Sequence, residues 1–308
     1  MYLNVQHSTE LAPSLTDTLH AAGEAAGHGE SAGAMFTELF EHTHDSPDLH
    51  LPFLHVDLPQ FAPIHIGDMT IDVSITKHVV FLWVSAILLL LVMASAARKN
   101  RKSRVPRGMG NLIEVFVVYI RDEIVVPNMG KGGLRYMPFI LTTFFFILVM
   151  NLMGMIPYGA SSTGNVNVTA GLATIAFVMI QFSAIRSQGF SHYLAHLTGG
   201  VHWALWPIMV PIEILGLFTK PFALCIRLFA NMTGGHLVII SLLGLIFLFK
   251  TFFIVPVPIA FALGINLLEL LVAFLQAYIF TMLTSLFMGL GIQAGEAHAE
   301  EHAGAHSH

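Results

Sequence analysis

Six polar residues in the last third of the chain stand where polar residues are expensive. Glu213, Arg227, Asn231, His236, Glu269 and Gln276 lie within two long apolar segments, Leu205–Phe249 and Pro258–Ile292. From Ser187 to Gly295 only five residues are charged: Glu213, Lys220, Arg227, Lys250 and Glu269. An ionisable side chain at the centre of a bilayer costs about 2.5–3.5 kcal/mol or more, so a charge kept at that depth usually has a task. Taken as an antiparallel pair joined by one turn, the segments place Arg227 level with Gln276 and His236 level with Glu269. Both pairs centre near residue 252, inside the expected turn.

The two levels suggest different chemistry. An imidazole opposite a carboxylate is a titratable pair, since His changes charge near neutral pH, and such pairs inside membranes are typical of proton relays. Arg227 cannot relay, because a guanidinium does not give up its proton. It can hold a permanent positive charge beside a carboxylate. Asn231, one helical turn on, shares roughly its face. Glu213 and Lys220 precede Arg227 by fourteen and seven residues, which keeps them near one stripe at about 3.6 residues per turn. No carboxylate of the pair is matched in depth to Arg227, so its counter-charge is expected from another subunit. Plainer roles compete. Glu213 could be a solvated carboxylate at a helix end, Lys220 an interfacial anchor, and Gly234–Gly235 a site of close helix packing. His192 and His196 have the i,i+4 spacing of metal ligands but no third ligand nearby, which favours a surface or packing role. No metal site is expected.

The elements that must position these residues follow from composition. Of 308 residues, 55% are hydrophobic and 11% charged, against about 25% charged in a soluble domain. That balance describes an integral membrane protein. Cys225 is the single cysteine, which leaves no intramolecular disulfide or zinc cluster to build. The charges are segregated. Residues 1–76 carry eleven acidic side chains and no Lys or Arg, and six basic residues then crowd into Arg98–Arg107. The positive-inside rule puts that cluster in the cytoplasm and the N-terminus outside.

Residues 1–50 lack helical apolar periodicity and read as a weakly ordered extramembrane extension, without the pattern of a cleaved secretory signal. Short alternating stretches between Leu51 and Thr76 suggest a β-hairpin around Gly67-Asp68. His78–Ala97 is long enough to cross about 30 Å of hydrocarbon. The following stretch, 108–139, reads as an amphipathic helix on the cytoplasmic surface. Tyr136–Ile185 contains no Asp, Glu, Lys or Arg, and the break "YGASSTGNVN" divides it into spans Pro138–Pro157 and Val168–Ile185. Leu205–Phe249 exceeds one perpendicular span and must tilt or lie partly in the membrane plane. Lys250, Pro256 and Pro258 supply the last turn. The reading is an all-α integral membrane protein with five crossings and its C-terminus inside. It divides into an extension (1–76), a membrane domain (77–292) and a His-rich tail (293–308).

With these residues in place, the sequence resembles subunit a of the rotary F-type ATP synthase. The resemblance rests on "RLFANM" at Arg227–Met232, "ELLVAFLQAYIF" at Glu269–Phe280 and "NLMGMIPY" at Asn151–Tyr158, and covers about residues 75–292 in order. Some members of that family carry an acid at the position of His236 and a histidine at that of Glu269. Here the two are exchanged, as in other members, which keeps one acid and one imidazole. The resemblance implies a subunit of the bacterial inner membrane, lying beside a ring of c subunits with an essential carboxylate and joined to the stator subunit b. It implies that Arg227 separates two proton half-channels, that His236 and Glu269 line the inlet from outside, and that Glu213 lies in the outlet. Asn231 and Gln276 would bind water or orient Arg227. ATP chemistry would belong to other subunits; the chain has no phosphate-binding loop, and no cofactor is expected. A membrane haem or metal redox subunit is the alternative raised by seventeen histidines. Only His192, His196, His202 and His236 fall near the later spans, so paired axial ligands are hard to assemble. A stand-alone transporter would show an inverted repeat, and none is visible.

Overall fold

The computed structural model describes residues 48–51, 54–57, 64–66, 69–71, 76–102, 108–156, 161–197, 206–249 and 255–305. The expected N-terminal extension up to residue 47 and the expected turn at 250–254 lie outside the described residues. The chain divides into two compact units, one containing 234–268 and the other 47–233 with 269–308. Each is described by itself.

Two short antiparallel hairpins precede the membrane helices. Strands β3 (Ile64–Ile66) and β4 (Met69–Ile71) pair with Ile66 opposite Met69, around Gly67-Asp68 as the alternation suggests. Strands β1 (Asp48–Leu51) and β2 (Leu54–Asp57), paired with Leu51 opposite Leu54, were not anticipated. Their apolar residues are broken by prolines and give no sustained alternation.

From Lys77 onward every described element is helical. The helices are α1 (Lys77–Lys102), α2 (Met109–Tyr119), α3 (Val126–Met129), α4 (Met137–Gly154), α5 (Val166–Gln188), α6 (Phe190–Leu197), α7 (Trp206–Phe249) and α8 (Pro256–Ala305). Five of the helical segments are long and apolar enough to span a membrane: 77–100, 131–154, 166–188, 206–245 and 256–295. The all-α membrane fold is as expected. At about 1.5 Å per residue, α7 is about 66 Å long, twice the hydrocarbon thickness. Helix α8 runs on through the His-rich tail to Ala305, in keeping with the Ala and Glu content of that stretch.

The amphipathic segment is less simple than one surface helix. Helix α2 passes into a π-helical turn at Ile120–Val125, then α3, then a 3₁₀ stretch at Lys131–Tyr136. The wider i→i+5 turn resets the helix face, so Ile120, Ile124, Val125 and Met129 are all fully buried while Arg121, Asp122 and Glu123 stay exposed. These residues join Ile140, Phe144, Ile147, Met150, Leu224, Leu228, Phe280 and Met288 in one apolar cluster.

Small residues on α8 let backbones meet, the usual basis of packing between membrane helices. A Cβ at Gly289 would lie 2.0 Å from the Asn128 carbonyl oxygen, and one at Gly291 would lie 2.7 Å from Ala184 Cβ. Polar side chains fasten the same contacts. Ser285 Oγ donates to the Ile124 carbonyl at 3.3 Å and Gln293 Nε2 to that of Asn128 at 3.1 Å. Ser187 Oγ and Gln188 Nε2 donate to the carbonyls of Ile292 and Gly291. The end of α8 is thereby tied to α3 and to the end of α5.

Candidate functional site

Helix α7 is built for close packing on one side only. Leu224, Cys225, Leu228 and Met232 are buried, whereas Phe222, Ile226, Arg227, Ala230 and Asn231 are exposed. This is the division expected of a helix packed along one stripe. Pro211 and Pro221 stand inside it, and each removes one bond from the backbone ladder. Among the described residues Arg227 makes no hydrogen bond or ion pair. Its permanent charge faces outward from the chain, as the absence of a depth-matched carboxylate suggests.

One turn beyond Arg227, Asn231 Nδ2 donates to Gln276 Oε1 at 2.7 Å. Gln276 was expected level with Arg227; it is instead joined to Asn231, so the register is displaced by about one turn. Gln276 is 3% exposed, and its Nε2 has no hydrogen-bond partner among the described residues. Glu269, two turns earlier on α8, is 5% exposed. Asn231, Gln276 and Glu269 line one small recess, completed by Asn151, Leu228, Met232, Val272 and Ala273. It leaves about 10 Å³, near the minimum that admits a single water molecule.

Asn151 is the site residue that sequence reading left without a role. It is 2% exposed. Its Nδ2 donates to the Ala273 carbonyl at 3.3 Å, and its Oδ1 accepts from Thr163 Oγ1 at 2.8 Å. Thr163 and Ser161 share a hydroxyl–hydroxyl bond of 2.8 Å. The Ser161 carbonyl lies 2.9 Å from His78 Nδ1, and Ser162 Oγ donates to the His78 carbonyl at 3.0 Å. Polar groups therefore line the way from the start of α1, through the 3₁₀ turn Ser162–Gly164, to the recess that holds Glu269. Gly154 allows the close approach: a Cβ there would lie 2.4 Å from Ser161 Cβ and 2.5 Å from Met232 Cε. The available signal was a lone amide in an otherwise apolar span.

The remaining expected site residues lie elsewhere. Glu213 and Arg227 do not line the recess. Glu213 is half-buried on α7, fourteen residues before Arg227. His236 is half-buried and belongs to the 234–268 unit. Lys220 sits over the Phe287 ring, 4.8 Å from its centroid, a cation–π contact.

Fold and site together define a multi-pass helical membrane protein whose two longest helices carry an outward arginine and a buried carboxylate–amide recess. Residues 79–289 match the family model described as ATP synthase A chain. The chain is 52% identical over 294 residues to ATP synthase subunit a of Chloroherpeton thalassium, covering 92% of this chain and 87% of the relative. It is 49% identical to ATP synthase subunit a 2 of Chlorobaculum tepidum, covering 96% and 82%. With ATP synthase subunit a of an Anaeromyxobacter species it shares 45% identity over 92% and 76% of the two chains. The chain belongs to the ATP synthase subunit a family.

Proposed function

We propose that this subunit forms two proton half-channels against a ring of c subunits and couples proton passage to rotation and ATP synthesis, without performing the ATP chemistry itself. The observation that carries this reading is Arg227: a permanent charge on an outward, apolar face, with no counter-ion among the described residues. Ala223 and Ala230, about one turn to either side of Arg227, are exposed on that same face. Such a charge is best compensated by a carboxylate on a partner inside the membrane. Facing Arg227, a ring carboxylate is favoured in its ionised form, so it releases its proton on the outlet side. The guanidinium, which does not deprotonate, blocks direct leakage between the half-channels.

In this reading His236 and Glu269 line the inlet, and the recess of Asn231, Gln276 and Asn151 beside Glu269 supplies its polar wall. Glu213 belongs to the outlet. Residues 77–292 form the membrane domain of a bacterial inner-membrane subunit, with extension 1–76 outside and the tail 293–308 in the cytoplasm, held in the complex with the aid of subunit b. The test is Arg227→Ala in the complete complex. We expect normal assembly and no proton-driven ATP synthesis; normal synthesis by that variant would overturn the mechanism.

A further inference from the structure

His78 is a titratable side chain at the start of a membrane span, and the mechanism gives it no task. It is buried and meets the turn between α4 and α5, 83 residues further along the chain. Two hydrogen bonds hold them together. Nδ1 lies 2.9 Å from the Ser161 carbonyl, and Ser162 Oγ donates to the His78 carbonyl at 3.0 Å. A carbonyl oxygen only accepts, so Nδ1 carries a proton and donates it. The Ser161 carbonyl also accepts from the Gly164 amide at 2.9 Å, which fills both of its lone pairs.

From that turn to the recess, each bond has one possible direction. Asn151 Nδ2 donates to the Ala273 carbonyl; a reversed amide would set two acceptors against each other. Asn151 Oδ1 therefore faces Thr163, whose single hydroxyl proton goes to it. Thr163 Oγ1 is then left to accept from Ser161 Oγ. Asn151, Ser161, Ser162 and Thr163 are all buried, and a buried polar group that gives up its partner finds no water in exchange. The orientation of Asn151 in the wall beside Glu269 is thus set by where residues 161–163 sit. Two bonds to one residue fix that turn; with the Ser162 bond alone, it can pivot.

We propose that His78 is a positioning residue for the inlet of the proton path: its Nδ1–H holds the Ser161 turn so that Thr163 orients Asn151 in the recess beside Glu269. What serves the inlet is the donor, not the titration. Imidazole with its proton on Nδ1 and imidazolium both donate from that atom, so the hold survives the change of charge. His78 is no relay, because the peptide of Ser161 stands between the ring and the hydroxyls of Ser161 and Thr163. It acts through Asn151. The proposal rests on the inlet role of Glu269.

The test uses complete ATP synthase in membrane vesicles at a fixed proton-motive force, with rates normalised to assembled complex. His78→Ala removes the donor. We expect the maximal rate of ATP synthesis to fall roughly fivefold, the weight of one ordinary hydrogen bond. The KM for ADP should stay unchanged, the pattern of a defect outside nucleotide binding. His78→Asn puts an amide N–H near the place of Nδ1 without a titratable ring. It should return the rate to within about twofold of the unaltered complex. Thr163→Val keeps His78 and cuts its link to Asn151, and should reproduce the loss. Added to Thr163→Val, His78→Ala should cost less than about a further twofold, because residues acting through one group are not additive. Full activity of His78→Ala, or losses that multiply in the double variant, would overturn the proposal. So would a His78→Asn variant as slow as His78→Ala, since the titrating ring would then be what the inlet needs. Full activity of Glu269→Gln would instead remove the inlet role of Glu269, and this proposal with it.

Discussion

Asn231 and Gln276 join α7 to α8 through one hydrogen bond of 2.7 Å, and the two ends of that bond are unequally placed. Asn231 is exposed, whereas Gln276 is 3% exposed and its Nε2 has no partner among the described residues. Removing the exposed donor therefore harms more than removing the buried acceptor. Asn231→Leu leaves a buried amide with neither end satisfied, at a cost of about 1–3 kcal/mol. Gln276→Leu leaves Asn231 free to turn outward, and should cost about 1 kcal/mol or less. The order is read from thermal unfolding of the solubilised complex. A double variant no worse than Asn231→Leu alone would establish the coupling.

That relationship also marks how far sequence reading reached. The five spans were legible because hydropathy and length decide them. Arg227 was legible as a charge without a local partner because no acidic residue of its helix lies nearer than Glu213, fourteen residues away. Register was not. Equal spacing about one turn placed Gln276 opposite Arg227, and it is bonded to Asn231, because a shift of one helical turn leaves apolar and polar faces unchanged. The π-helical turn at Ile120–Val125 was hidden for a similar reason. It buries Ile124 and Val125 together by widening one turn, and a pattern search at constant period averages this away. The task of His78 was out of reach, since its bond to Ser161 joins residues 83 apart in the chain.

Asn151 offers a test of the recess apart from stability. Asn151→Leu keeps the branched shape at Cγ and removes two hydrogen bonds. Neither partner is stranded: Thr163 keeps its bond to Ser161, and the Ala273 carbonyl lies within the α8 ladder. The cost in stability should stay near about 1 kcal/mol. If the amide serves the polar wall beside Glu269, ATP synthesis falls severalfold while the amount of subunit in the membrane is unchanged. Equal falls in both would reduce Asn151 to a packing residue.

The exposed pair Arg121–Asp122 bears on pH. Arg121 Nε lies 2.7 Å from Asp122 Oδ1, with the side chains 46% and 49% exposed. The hydrogen bond from Arg121, and then its charge, hold the Asp122 carboxyl below its ordinary range. A carboxylate with a depressed folded-state pKa adds stability above its unfolded value and loses it as pH falls through the folded one. The contribution is thus complete at pH 7 and fades only below about pH 4. Solvent screens so exposed a pair, so Asp122→Asn should give no resolvable change in thermal unfolding at pH 7, in low or high salt. A clear loss would mean that the pair is covered by a partner subunit in the complex.

Two glycines should respond with opposite sign to one substitution. A methyl group at Gly289 would meet the Asn128 carbonyl oxygen at 2.0 Å, and that oxygen is backbone, already held by Gln293 Nε2 at 3.1 Å. It cannot swing aside without moving α3, whose Met129 is fully buried. Gly289→Ala should therefore cost about 1–3 kcal/mol, the usual scale of overpacking. Gly171 lies in the interior of α5 with nothing within 4 Å of the same methyl position. There alanine is the better helix former by up to about 1 kcal/mol. Thermal unfolding of the complex, with subunit abundance in membranes, should fall for the first variant and hold or rise for the second. Tolerance of Gly289→Ala would mean that α8 and α3 are not in backbone contact, and that the tie between them rests on Gln293 alone.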